Sequence, residues 1–233
     1  MIPLRDSNPS GTAPVVTVIL IVLNALVWFY ELSLGPQVER FVFDYGLIPA
    51  RFVASLHHPF GIVGNAVVPL FTSIFMHGGW LHVIGNMWFL WIFGDNVEDR
   101  LGHFRFLIFY LMCGIGASIA HVMFNPGSNI PTIGASGAIS GVLGAYLVSF
   151  PHSRVLTLLI IFVIIRLVEI PAFVFLILWF VFQFVSGTAQ IGAMQETGGV
   201  AYWAHMGGFV IGIVLLWIFP ERRRFRDYSA WAD

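Results

Sequence analysis

Long apolar runs, separated by short polar or Gly- and Pro-bearing stretches, dominate the chain from Val15 to Phe219. A helix needs about 20 mostly apolar residues to cross a hydrocarbon core about 30 Å thick. That rule picks out six candidate spans: Val15 to Tyr30, Trp80 to Phe93, Phe104 to Phe124, Ala135 to Phe150, about Ile170 to Val185, and Ala201 to Phe219. The expected fold is therefore an all-α membrane protein, a six-helix bundle in one domain over 1–233 with no separate soluble part. Two stretches break the pattern. Phe60 to Met76 is apolar but holds Gly61, Gly64, Asn65 and Pro69, which argue against a continuous helix. Glu31 to Gly79 then reads as one long loop lying on or partly in the membrane, with its polar backbone groups satisfied by protein or water. Val155 to Ile165 precedes Arg166 and Glu169, which sit three apart as a pair on a helix would. Two charges at mid-bilayer are costly, so this pair belongs at an interface, with the fifth span starting near Pro171.

Composition makes lipid the solvent. Of 233 residues, 58% are hydrophobic and 10% charged, against about 25% charged in a soluble domain; the mean hydropathy is +0.86. The net charge of −1 gives no reason to expect a nucleic-acid partner. The single Cys113 excludes an internal disulfide framework and reads as a small buried hydrophobe. Met1 to Pro14 lacks the pattern of a removable signal peptide, so the first apolar run is expected to stay as a span. All eleven basic residues are Arg. Six spans put Arg5, Arg100, Arg105, Arg154, Arg222, Arg223, Arg224 and Arg226 on one side, which makes both termini cytoplasmic by the positive-inside rule.

Candidate chemistry clusters at three places. Gly134-Ala135-Ser136-Gly137 opens the fourth span, so Ser136 sits at a helix N-terminus, where free N–H groups and the helix dipole favour a developing negative charge. That span covers only about 24 Å at about 1.5 Å per residue. Ser136 is thus expected below the outer surface, in a water-filled recess. Gly137, Ser140, Gly141 and Gly144 give the helix a small-residue face, matched in the sixth span by Gly208 and Gly212 after His205. Small residues four apart let membrane helices pack backbone to backbone. Spans four and six run parallel in this topology, so the packing would bring the Ser136 hydroxyl to the His205 imidazole, the usual base for a serine nucleophile. In the second span, His82 and Asn86 share a helix face just after His77 and offer donors for an oxyanion. Each signal alone also fits packing or a helix–helix hydrogen bond. The His and Asn spacing resembles no standard metal site, and neither metal nor cofactor is expected.

Taken in order, these clusters resemble the rhomboid family of intramembrane serine proteases. His77, His82 and Asn86 reproduce its H-x4-H-x3-N pattern, Gly134 to Gly137 its G-x-S-G, and Ala204-His205 with Gly208 and Gly212 its A-H-x2-G-x3-G. Glu98 and Arg100 resemble its E-x-R element. The resemblance runs from about Val15 to Phe219 and agrees with the basic six-span bacterial form, which places the protein in a bacterial inner (plasma) membrane. It implies a Ser136–His205 dyad, an oxyanion site of His82 and Asn86, and a structural or water-handling role for His77. It implies substrates that are transmembrane helices of other proteins, entering from the lipid bilayer past the fifth span. Phe175, Trp179 and Phe182 would form a gate or face lipid, and Ser186 to Val200 would cap the cavity. Where some members carry a Tyr that packs on the histidine, this chain has Ser140. Ser140 itself or bound water are then the candidates for orienting His205.

Overall fold

The computed structural model describes residues 1–57, 62–161, 164–192 and 200–219. The first long apolar run forms α1 (Val15–Ser33). The stretch expected as one long loop is largely helical instead, with α2 (Val38–Tyr45), α3 (Pro49–Leu56) and a helix over Val63–Phe75 whose middle is α4 (Val68–Thr72). Gly61 lies outside the described residues, and Gly64 and Pro69 do not stop this last helix. Its first turn, Val63–Val67, widens to π geometry, and Pro69 falls in the first turn of α4, where a proline is tolerated. It meets α5 (Trp80–Leu101) at a bend of 80°. Then come α6 (His103–Phe124), α7 (Ser136–Ser149), α8 (Ala172–Gly192) and α9 (Tyr202–Ile218).

Among the described residues, α1, α6 and the Ala172–Ala189 part of α8 are long and apolar enough to cross a membrane. The bent pair of Val63–Phe75 and α5 passes the same test jointly, which makes four, while α7 and α9 are apolar but shorter. Length alone therefore does not establish six crossings. The short helices are the two that carry the glycine faces.

The fold is not all-α. β1 (Ile2–Asp6), β2 (Arg154–Ile161) and β3 (Ile164–Pro171) form an antiparallel sheet in the order β1-β2-β3. Arg166 lies opposite Leu159 and Glu169 opposite Leu156. Residues three apart on a strand point to opposite faces, so the expected Arg166–Glu169 helical pair does not form. Glu169 lies 3.8 Å from Arg154 instead. On the other edge, Tyr146 of α7 donates its hydroxyl to Asp6 of β1, whose carboxyl burial pushes above the usual range.

The second span continues to Leu101, eight residues past its apolar stretch, because its polar end is buried in protein: Asn96, Glu98 and Asp99 are at most 5% exposed. Glu98 accepts the N–H groups of Val16 and Thr17 at 2.8 and 2.7 Å and the Thr17 hydroxyl at 2.7 Å. It caps the N-terminus of α1, where a carboxylate is favoured by the free donors and the dipole. Asp99 holds the preceding segment by accepting from Gly11 N–H and Thr12 Oγ1. Gly102, at φ 81°, then turns the chain directly into α6.

α7 is the centre of the bundle, buried from Gly137 to Tyr146 and packed on α5, α6 and α9. Its contact with α9 is backbone on backbone. A Cβ added to Gly208 would lie 2.0 Å from the Gly137 carbonyl oxygen, and one on Gly212 2.1 Å from that of Gly141. On the far side of α7, a Cβ on Gly141 would meet Cys113 of α6. No rotamer change relieves a clash with backbone, so Gly212→Ala should push α9 off α7. The expected loss is about 1–3 kcal/mol, read as a lower unfolding midpoint in detergent, whereas Val214→Ala on the exposed face of α9 should leave the midpoint nearly unchanged.

Candidate active site

Ser136 is the first residue of α7, and its Oγ lies 2.8 Å from His205 Nε2 in the first turn of α9. The pair meets because the glycine contact holds the two N-terminal ends side by side. Ahead of Ser136 the chain passes Gly134 at φ 129°, a conformation that L side chains rarely adopt. A Cβ there would also lie 2.6 Å from His82 Nε2. Gly134 thus lets the His82 ring approach the backbone next to the serine, and its own N–H donates to the Ser73 carbonyl at 2.8 Å. Gly137 has a different reason: a Cβ would lie 2.6 Å from that of Ala117 on α6.

His82 and Asn86 stand one turn apart at the start of α5 and line the same cavity as Ser136 and His205. Asn86 is 8% exposed, and its Nδ2 has no hydrogen-bond partner. A buried amide donor left unpaired is costly, and this one belongs to a residue that shares the cavity with Ser136. His82 Nδ1 faces the Gly78 N–H at 3.4 Å. His77 is outside the cavity lining; it packs edge-on to the His82 ring at 5.0 Å, and its backbone N–H donates to buried Glu31 at 3.1 Å. The free N–H groups of the first turn of α7 add donors beside Ser136.

The cavity has a volume of about 1080 Å³ and is walled by these residues, the loop from Asn125 to Ile133, and Trp179 and Gln183 of α8. His205 is held from the side away from Ser136: its Nδ1 lies 2.8 Å from Gln183 Oε1, and the Trp179 ring lies 6.0 Å from its own. Ser140, one candidate from the sequence, does not take that place. Ser140 donates its hydroxyl to the Ser136 carbonyl at 2.6 Å. Sequence reasoning missed Gln183, although it is the one amide side chain in the apolar part of α8 from Phe173 to Val185. Of the expected gate residues, Phe175 is 2% exposed and packs on Phe93 in the core, Trp179 walls the cavity, and Phe182 points outward at 62% exposure. The expected cap loop is helical as far as Gly192; Gly198 and Gly199, like Arg222, Arg223, Arg224 and Arg226, lie outside the described residues.

Fold and site together define a class: an integral membrane protein of packed helices with a serine–histidine pair lining one cavity. Comparison with known proteins gives the family. The model of the Rhomboid domain family matches residues 64–222, more than half of the chain. Similar proteins include Rhomboid-like protein 11, chloroplastic, of Arabidopsis thaliana, at 30% identity over 88% of this chain and 69% of its own length. Rhomboid protein 1, mitochondrial, of Saccharomyces cerevisiae is 28% identical over 84% of this chain and 52% of its own. Rhomboid protease GluP of Bacillus subtilis is 47% identical over 34% of this chain and 15% of its own. The chain belongs to the rhomboid family. It spans only part of the length of these relatives, about half in the yeast case. The first two are organellar by name and do not fit the bacterial plasma membrane expected from the sequence.

The left-handed Gly134 and its proximity to His82 make one outcome specific. Gly134→Ala should lower stability by about 1–3 kcal/mol in detergent unfolding and slow phosphonylation of Ser136, whereas Gly127→Ala, with open space around it, should do neither.

Proposed function

We propose that this protein is an intramembrane serine endopeptidase that hydrolyses peptide bonds in or next to transmembrane helices of membrane-protein substrates. The observation that carries this reading is the 2.8 Å contact between Ser136 Oγ and His205 Nε2 at the wall of the cavity. Family membership and the likeness to a protein named as a rhomboid protease support it. In this reading the chain is one domain with six crossings and both termini cytoplasmic, the short α7 and α9 serving as the fourth and sixth.

The chemistry follows from the groups in place. His205 Nε2 takes the Ser136 proton as Oγ attacks the scissile carbonyl carbon. The carbonyl oxygen becomes an oxyanion held by Asn86 Nδ2, His82 and the N–H groups that open α7. His205 returns the proton to the leaving amine, which gives an acyl-enzyme on Ser136 and releases the first fragment. A water then attacks the ester carbonyl while His205 takes its proton, and the same proton passes to Oγ as the second fragment leaves. A substrate helix must unwind first, since helical carbonyls are hydrogen-bonded and hidden. Cleavage is therefore expected near small or helix-breaking residues at the outer end of a substrate span.

Purified protein incubated with a model transmembrane substrate tests this. Ser136→Ala and His205→Ala should each lower the rate by at least about a thousandfold. Asn86→Ala should lower kcat by about a hundredfold or more. Undiminished cutting by either dyad variant would sink the assignment.

A further inference from the structure

No Asp or Glu lines the cavity among the described residues, so the dyad has no acidic third member there. His205 nevertheless has both ring nitrogens engaged: Nε2 faces Ser136 Oγ at 2.8 Å, and Nδ1 faces Gln183 Oε1 at 2.8 Å. Gln183 is 6% exposed and His205 9% exposed, so little water competes for either group. Trp179, one turn earlier on α8, lies 6.0 Å from the imidazole at an interplanar angle of 30° and from Phe209 at the same distance, so the ring packs between α8 and α9.

The tautomer follows from what an amide oxygen can do. It accepts and never donates, so the ring nitrogen facing it must carry the hydrogen. A neutral imidazole has one such hydrogen. With it on Nδ1, the lone pair of Nε2 is free to accept from Ser136. Without a partner at Nδ1, a neutral histidine ring places its proton mainly on Nε2, where it can only donate to the serine and cannot act as a base. A neutral amide also suits the location, since a carboxylate there would be a charge buried in an apolar bundle. When His205 takes the serine proton, the Nδ1–H to amide contact becomes charge-assisted and strengthens.

We propose that Gln183 is the positioning residue of the dyad, its amide oxygen fixing His205 in the Nδ1–H tautomer with Nε2 turned to Ser136. The inference rests on the protease reading for its catalytic consequence, while the tautomer itself is a property of the resting protein.

The test compares the full chain in lipid vesicles with Gln183→Met, which keeps length and apolar volume but has no accepting oxygen, and Gln183→Glu, which keeps an accepting oxygen. Cleavage of a model transmembrane substrate by Gln183→Met should show kcat reduced about 10- to 100-fold with KM within about twofold. Gln183→Glu should recover most of that loss. A merely space-filling Gln183 gives the reverse order, with Met active and Glu impaired, and overturns the proposal. Nitrogen-15 spectra of histidine-labelled protein, with the His205 signals assigned by difference against His205→Gln, give a second readout. The proton should sit on Nδ1 in wild type and Gln183→Glu, and shift toward Nε2 in Gln183→Met. An unchanged tautomer in Gln183→Met overturns the proposal whatever the rates. A wild type that leaves every substrate intact would count against the protease reading alone, and the spectra still decide on Gln183.

Discussion

The backbone contact between α7 and α9 is the constraint on which the rest depends. In a lipid solvent the hydrophobic effect does not hold apolar helices together, so close packing and hydrogen bonds must. Gly144 on one helix and Gly208 and Gly212 on the other remove the side chains that would keep the axes apart. Both helices are short, and the contact aligns their N-terminal ends at one level, where Ser136 begins α7 and His205 lies in the first turn of α9. The hydroxyl and the imidazole meet because the carbonyls of one helix lie where Cβ atoms of the other would have been.

Around that contact several buried polar groups are held by partners, as a low-dielectric interior favours. Asn24 Nδ2 donates to the Leu20 carbonyl, Glu98 caps α1, and Gln183 Oε1 lies 2.8 Å from His205 Nδ1. Asn86 Nδ2 is among the buried atoms without a partner, and Asn86 lines the cavity. In the proposed reaction an unpaired donor beside Ser136, in a site walled by protein, is a preorganised arrangement, since no solvent must reorganise when charge appears on the substrate oxygen.

Much of this was legible in the sequence because it is local or periodic. The small residues recur at helical spacing, Ser136 follows a Gly- and Pro-bearing loop, and His82 and Asn86 are one turn apart. The β2–β3 hairpin was not legible: a run of Val, Leu and Ile as short as Val155 to Ile165 fits a strand as well as a buried helix, and the pairing that decides it is with β1, about 150 residues away. The inner half of α5 was missed because hydropathy sees Asn96, Glu98 and Asp99 as an exit from the membrane, when their partners lie in the N-terminal segment. Gln183 was missed for a related reason. Its partner is 22 residues away on another helix, and only the packing of α8 against α9 brings them together.

The proposed activation of Ser136 by His205 within the assembled bundle is read directly by mass-spectrometric mapping of a fluorophosphonate adduct. With the protein held in lipid vesicles, the adduct should form on Ser136 and on no other serine, and it should fail to form in a folded His205→Ala variant. An adduct on another serine, or labelling of Ser136 at the same rate without the imidazole, would contradict it.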